Sequence, residues 1–265
     1  MDCYIIPPLQ DLDLMDHGQG NRYFCLAHFF IQHEHYRQKF LELRKNPSNF
    51  ITLDNSAAEK SLVTEDVLID VVRELRPDEV IAPDVLFDKT QTLSNLDSFV
   101  KRMRAEGLLD RTKIFGCPQG NNRQEWIECY KAMMNNVDVS VIGLSKIAVP
   151  RCWMDEQHED VGIKESRRLC VQYLVDNGLL LKPVHLLGMG DPTEYEVYKH
   201  GNIRSTDSCY TVFAAWHGVD FGSGDLRRIP TTNDFYEVKL TDEQRDLAIK
   251  NINFLKRITV SVGKK

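Results

Sequence analysis

Three aspartates, one glutamine and several glycines stand at the ends of short stretches that read as strands, where a side chain contributes little to packing and is well placed for chemistry. They are Asp54 in LDNS, Asp84 in APD, Gln119-Gly120 in CPQG, Gly143-Leu144 in IGLS, Leu187–Met189 in LGM and Asp207 in STDS. A carboxylate accepts from ring N–H and exocyclic NH₂ groups, a glutamine amide donates to a carbonyl, and the backbone N–H groups at Gly143-Leu144 do the same. The set suits a flat, neutral, hydrogen-bonding ligand such as a purine. A carboxylate not used by the base then faces an electrophilic carbon. A glycosidic carbon is the natural target, because paired carboxylates are the usual acid and nucleophile of glycosyl chemistry. No lysine or cysteine nucleophile is among these ends, so Asp207 is read as the nucleophile. Plainer readings exist for each position. Asp54 can serve a turn or a helix cap, and Asp84 a turn, with Asp88 then the functional acid. Gln119 and Gly143 can be turn chemistry, and Asp207 can cap a helix or hold a backbone amide.

These residues need a scaffold that brings strand ends together. Stretches near residues 4, 25, 51, 81, 115, 141, 186 and 207 read as strands, the second of them over Tyr23–Phe30 and the sixth over Val137–Leu144; the last carries Asp207 among small polar residues. Amphipathic stretches lie between them. Leu68, Val71, Val72 and Leu75 fall at helical spacing behind Thr64 as N-cap, and Pro77 forbids continuation. Leu96, Phe99, Val100 and Met103 form a second stripe, with Ser94 read as its cap. Trp126, Tyr130 and Met133 form a third, and Ile163–Asn177 reads as a helix stopped by Gly178. Thr241–Gln244 is a capping-box pattern before Ala248, Ile252 and Leu255. Strands alternating with helices imply a parallel sheet wrapped by helices, and eight such units favour an α/β fold of the (β/α)₈ TIM type, whose active sites form at the C-terminal strand ends. The expected organisation is one domain over residues 1–265, with 1–22 a lead-in and 241–265 a C-terminal helix and tail. No GxGxxG or GxxxxGK[ST] loop follows the early strands, which weakens the nucleotide-binding alternatives.

The 265 residues are 42% hydrophobic and 27% charged, an ordinary globular composition. The net charge of −6 gives no general attraction to nucleic acid, although a local basic patch is sufficient for one. No run of about 18 apolar residues occurs, so no membrane partner is expected. The acidic start MDCYIIPPLQDLDLMD is unlike a signal peptide, and a cytoplasmic protein is expected. Seven cysteines without CxxC spacing read as reduced, mostly buried thiols rather than a structural zinc site.

The order of the strand ends resembles the tRNA-guanine transglycosylase family, and most nearly its short phage relatives that place 7-deazaguanines in DNA. LDNSA (Leu53–Ala57) stands for the family's T-D-S-G-G turn and IAPDV (Ile81–Val85) for its A-F-D-E strand end. GCPQG (Gly116–Gly120) stands for V-Q-G and VIGLS (Val141–Ser145) for G-G-L. HLLGMG (His185–Gly190) stands for Y-L-M-G-V-G, and IRSTDSC (Ile203–Cys209) for D-x-F-D-C. The resemblance implies that Asp207 attacks C1′ of a target guanosine and that Asp54 handles the purine proton. It implies that Asp84 and Gln119, with Gly120 beside them, read the purine edge, that Gly143 and Leu144 give backbone contacts, and that Leu187 or Met189 offers the base an apolar face. No cofactor is implied; the partners are a nucleic acid and a free 7-deazaguanine of the preQ0 type, and a homodimer stays open. If the chain is phage-encoded, the compartment is the host cytoplasm.

Several departures bear on the polymer. The family's Gly-Gly after the first aspartate is Ser56-Ala57 here, and its base-stacking aromatic is Ala58 or lost. Its Pro-Thr-Arg segment after the nucleophile is replaced by Thr211-Val212-Phe213-Ala214, and its C-terminal zinc module is missing. DNA is therefore expected over tRNA, reached by base flipping or as a single strand. Lys146, Arg151, Arg227 and Arg228 are the candidate phosphate contacts; Lys101–Arg104 and Arg167-Arg168 read better as solvated helix faces. Two other readings compete. His33-Glu34-His35, with His28 nearby, allows a metal-dependent barrel hydrolase, and a non-catalytic nucleic-acid-binding subunit would need no nucleophile.

Overall fold

The computed structural model of the chain describes residues 1–57, 63–154, 162–190, 192–194, 200–224, 226, 229 and 232–262. Eight parallel strands alternate with helices and share one sheet in the order β1-β8-β7-β6-β5-β4-β3-β2, so the fold class is the expected α/β, (β/α)₈ TIM type. The strands are β1 (Asp2–Ile5), β2 (Arg22–Leu26), β3 (Phe50–Asp54), β4 (Glu79–Ile81), β5 (Lys113–Gly116), β6 (Val139–Ser145), β7 (Val184–Leu187) and β8 (Ile203–Ser208). Each covers one of the eight expected strand stretches. By its contacts the chain divides into two compact units, Cys25–His185 and Met1–Phe24 with Leu186–Lys265.

In the unit Cys25–His185, β3, β4, β5 and β6 pair side by side in parallel, with a register shift between Ile114 and Phe115. Their apolar residues, among them Ile51, Leu53, Val80, Ile114, Phe115 and Ile142, are buried. The helices of this unit are α1 (Ala27–Gln32), α2 (Glu34–Arg44), α3 (Glu65–Leu75), α4 (Lys89–Ala105), α5 (Arg123–Asn135), α6 (Ala148–Trp153) and α7 (Ile163–Asp176). The expected stripes are all on buried faces: Leu68, Val71, Val72 and Leu75 on α3, Leu96, Phe99, Val100 and Met103 on α4, Trp126, Tyr130 and Met133 on α5. Thr64 caps α3 by accepting from Val67 N, and Gly178 takes φ +63 after α7.

Three boundaries differ from expectation, each for a local reason. The aromatic run at Tyr23 stops being strand at Leu26, and residues 27–32 turn into α1, whose buried Phe29 and Phe30 are equally compatible with either period. Asp88, not Ser94, caps α4: its carboxylate accepts from Gln91 N at 2.9 Å, and Ser94 lies inside the helix. Strand β6 begins at Val139, because Asn136 accepts from Asp138 N and holds a turn there.

In the other unit, β1 pairs with β8 in parallel, which makes Tyr4 the direct partner of Asp207. Helix α8 (Tyr210–Trp216) follows β8, and α9 (Asp242–Val262) begins with the expected reciprocal capping box, Thr241 N to Gln244 Oε1 at 2.9 Å and Gln244 N to Thr241 Oγ1 at 3.3 Å. Ala248, Ile252 and Leu255 are buried along α9. Among the described residues no helix is long and apolar enough to cross a membrane. All seven cysteines are free thiols, and all but Cys209 are buried.

Candidate functional site

In the unit Cys25–His185, the parallel pairing of β3, β4 and β5 sets Asp54, Asp84 and Gln119 at successive C-terminal strand ends. Asp84 lies between two amides. Gln119 Nε2 donates to its Oδ2 at 2.5 Å, and Asn55 Nδ2 donates to its Oδ1 at 2.6 Å and to the Ala82 carbonyl at 2.8 Å. Gln119 Oε1 accepts from Phe87 N at 3.1 Å, which fixes the orientation of that amide with its NH₂ toward the carboxylate. Gln119 is fully buried and Asp84 half-buried. Burial pushes the Asp84 carboxyl above its ordinary value, against the lowering effect of the two amide donors. Beside it, burial and the Asp84 and Asp54 charges push the Cys117 thiol well up, so it stays protonated.

Asp54 ends β3, and its Oδ2 accepts from Ser56 N at 2.8 Å. Ser56 is buried at φ +60, a left-handed conformation that favours glycine. It is held there by His28, which follows β2: His28 N donates to Ser56 Oγ at 3.2 Å, and His28 Nδ1 lies 2.7 Å from the same oxygen. Oγ has one proton and two lone pairs, so after accepting from the backbone N–H it can meet Nδ1 in either tautomer of the ring. Burial and the neighbouring His33 bring the His28 pKa down to about 4, so the ring is neutral near pH 7.

The remaining positions in this unit are more tied to structure. Gly120 is glycine because a Cβ would stand 2.4 Å from Trp126 N, so the first turn of α5 lies directly on it. Gly143 and Leu144 are buried within β6, and the Leu144 carbonyl accepts at 3.2 Å from Arg167 Nη1. Arg167 is fully buried, which corrects its reading as part of a solvated helix face. Arg151, on α6, places its guanidinium 4.4 Å from the centre of the Phe87 ring and donates to Asn121 Oδ1 at 2.6 Å. Phe87 is itself at φ +68, and Lys146 sits half-buried in the turn after β6. Asp88 is accounted for as a helix cap, which leaves Asp84 as the acid of its strand end.

In the other unit, Asp207 is 7% exposed in β8. Its Oδ1 accepts from Gly188 N at 2.9 Å and its carbonyl from Met189 N at 2.8 Å. Ser208 Oγ donates to the Met189 carbonyl at 2.6 Å. The turn after β7, with Gly188 at φ +70, is thereby fastened to β8, with one carboxylate oxygen of Asp207 engaged by that amide. Leu187 is half-buried at the end of β7, and Met189 is buried. Ala58, Arg227 and Arg228 lie outside the described residues.

The His33 and His35 rings are 5.9 Å apart at the start of α2. Among the described residues no group of three or more His, Cys, Asp or Glu is arranged to hold a metal ion. Asn55, Ser56 and Phe87 were not singled out as site residues from the sequence, and His28 was named only beside His33 and His35 in the metal-dependent reading. The signal for Ser56 was present, since the resembled family carries glycine at that point of the turn and the backbone here has the φ that glycine serves.

The architecture is thus a (β/α)₈ protein with carboxylates and amides at the C-terminal ends of its strands. No family model matches the chain, and no curated protein matches it.

Proposed function

We propose that the chain is a base-exchange transglycosylase that replaces guanine with a 7-deazaguanine in DNA. The observation that carries this reading is the clasp of Asn55, Asp84 and Gln119, a carboxylate between two amides at adjacent strand ends. A 7-deazaguanine presents N1–H and 2-NH₂ to a carboxylate and O6 to an amide donor, the donor–acceptor pattern that Asp84 and Gln119 offer. Gly143 and Leu144 contribute backbone contacts, and Leu187 and Met189 an apolar face.

In the proposed reaction an Asp207 carboxylate oxygen attacks C1′ of the target deoxyguanosine. The C1′–N9 bond breaks, its electron pair goes to guanine, and the departing guanine takes up a proton from Asp54. The nucleotide is then held as an aspartyl ester. The incoming 7-deazaguanine gives its N9 proton to Asp54, N9 attacks C1′, and the ester bond to Asp207 breaks. Protons balance over the cycle, and no oxidant or metal is needed.

DNA is favoured over tRNA by α8. Thr211, Val212, Phe213 and Ala214, which stand where the resembled family has its Pro-Thr-Arg segment, are all buried and offer nothing to a polynucleotide. Lys146 and Arg151, on the segment after β6, are the phosphate contacts of this reading within the described residues; Arg227 and Arg228 complete it.

The test is incorporation of labelled guanine or 7-deazaguanine into single-stranded DNA, duplex DNA or tRNA. Exchange into DNA is expected from the wild type, with none above background from Asp207→Asn that remains folded by circular dichroism. A denaturation-resistant protein–DNA adduct, trapped by wild type and lost in Asp207→Asn, separates this reading from a non-catalytic binding subunit. Exchange retained by Asp207→Asn removes Asp207 as nucleophile, and labelling of tRNA alone moves the polymer to tRNA.

A further inference from the structure

Five arginines of the unit Cys25–His185 reach across to acids on a neighbouring element. Arg37 pairs with Glu74 at 2.5 Å, Arg44 with Asp78 at 2.7 Å and Arg73 with Glu106 at 2.6 Å; Arg102 pairs with Asp66 and Arg104 with Asp138. Of the arginines without such a pair, two stand together. The guanidinium groups of Arg76 and Arg111 have no carboxylate partner among the described residues, and both line one cleft of about 420 Å³. That volume lies within the range of small-molecule sites. Arg73 lines it as well, already neutralised by Asp70 and Glu106. Val72 and Leu108 give it an apolar wall, and Asp110 is its one acid. Arg76 precedes β4 and Arg111 precedes β5, so the cleft is at the N-terminal ends of these strands, the edge opposite Asp84 and Gln119.

Arg76 adds an independent observation. It ends α3 at φ 52, ψ 57, the left-handed position that helices give to glycine. An L side chain is strained there. Its backbone is fixed in that state by two hydrogen bonds, its N–H to the Val72 carbonyl and its carbonyl accepting from Arg44 Nη1. Local folding would be served as well by glycine, so the strain has to be set against what the side chain does in the cleft.

We propose that this cleft is a second binding site, for a small phosphate monoester carrying hydroxyl groups, such as a sugar phosphate or a nucleoside monophosphate. Two guanidinium forks without acidic partners match the two charges of a monoester and the spacing of its oxygens. A phosphodiester, with one charge, uses half of that capacity. Asp110 is the acceptor for a hydroxyl, and the Val72–Leu108 wall takes the carbon skeleton. The site is independent of the exchange reaction proposed above.

The experiment is calorimetric titration of the full-length protein with ribose 5-phosphate and guanosine 5′-monophosphate, with ribose, guanosine, inorganic phosphate and a short single-stranded oligonucleotide alongside. The two monoesters are expected to bind with sub-millimolar Kd, and ribose and guanosine at least about tenfold more weakly. Arg76→Gly and Arg111→Gln are each expected to weaken the monoesters by about tenfold or more, while Arg104→Gln, outside the cleft, leaves them unchanged. Arg76→Gly relieves the left-handed strain, so its melting temperature should hold or rise, which separates loss of the site from loss of fold. The proposal is overturned by absence of monoester binding to the wild type, or by undiminished binding in both variants. Equal affinity for the oligonucleotide and the monoesters also overturns it, in favour of a polymer-backbone contact.

Discussion

At Ser56 and His28 the physical chemistry of single residues is most exposed. A serine held at φ +60 is retained because its hydroxyl and its N–H have different tasks: Oγ is gripped by His28, and the N–H is aimed at Asp54 Oδ2. The hydroxyl can meet either form of the ring, since it both donates and accepts, and it is burial of the imidazole that disfavours its charged form. The folded pKa of His28 is lowered from 6.5 to about 4, chiefly by burial. Between these values the unfolded chain binds the proton and the folded chain does not. The resulting contribution is fully present above pH 6.5 and is lost as pH falls toward about 4. The size is up to about 3 kcal/mol for a shift of this extent. His28→Asn keeps an acceptor for the serine hydroxyl and removes the titration. Urea unfolding at neutral pH and at pH near 4 should therefore show the stability gap between wild type and this variant narrowing, or reversing, by that amount on acidification. A gap independent of pH would mean that His28 is not held neutral.

The elements explain what could be read from the sequence and what could not. All eight strands and the apolar stripes of α3, α4 and α5 were legible, because burial on one or both faces imposes a period on the residues. Asp54, Asp84 and Gln119 were legible as exceptions to that period, polar groups at the ends of apolar runs, and Asp207 as an acid among the small polar residues of its strand. The partners of those groups were not. Nothing in the spacing of Asn55 or Phe87 says that one would meet Asp84 and the other Gln119, since both contacts join different strand ends. The buried Arg167 was misread for a related reason: a charge on an amphipathic helix is ordinarily solvated, and the Leu144 carbonyl that receives it lies on β6. Gly120 illustrates the opposite case, a glycine inside a suggestive motif whose need is structural. Its missing Cβ leaves room for the backbone of Glu125 and Trp126, with which an alanine methyl would collide at 2.4–2.9 Å. Backbone cannot move aside as a flexible side chain can, so Gly120→Ala should cost about 2–3 kcal/mol. Thermal denaturation should record this as a fall of roughly 5–10 °C. An unchanged melting temperature would show that α5 can shift away, and would free Gly120 for a role in binding.

The whole molecule carries a net charge of −6, and many of the basic groups on its described surface are committed to acids of their own chain. That balance gives little general attraction for a polyanion. A protein that works on DNA with such a surface has to rely on a few phosphate contacts and on recognition of the base, and in the proposed reaction on the covalent bond through Asp207. The consequence is measurable as counterion release. With Lys146, Arg151, Arg227 and Arg228 as the contacts, no more than about four phosphates are neutralised, and the logarithm of the binding constant should fall against the logarithm of salt with a slope no steeper than about −4. Asp207→Asn, which forms no ester, is the form in which to read this by fluorescence anisotropy on single-stranded DNA. Lys146→Gln and Arg151→Gln should each flatten the slope by about one. A much steeper slope, or one indifferent to both substitutions, would place the polynucleotide on another face of the protein and require a different set of cations to hold it.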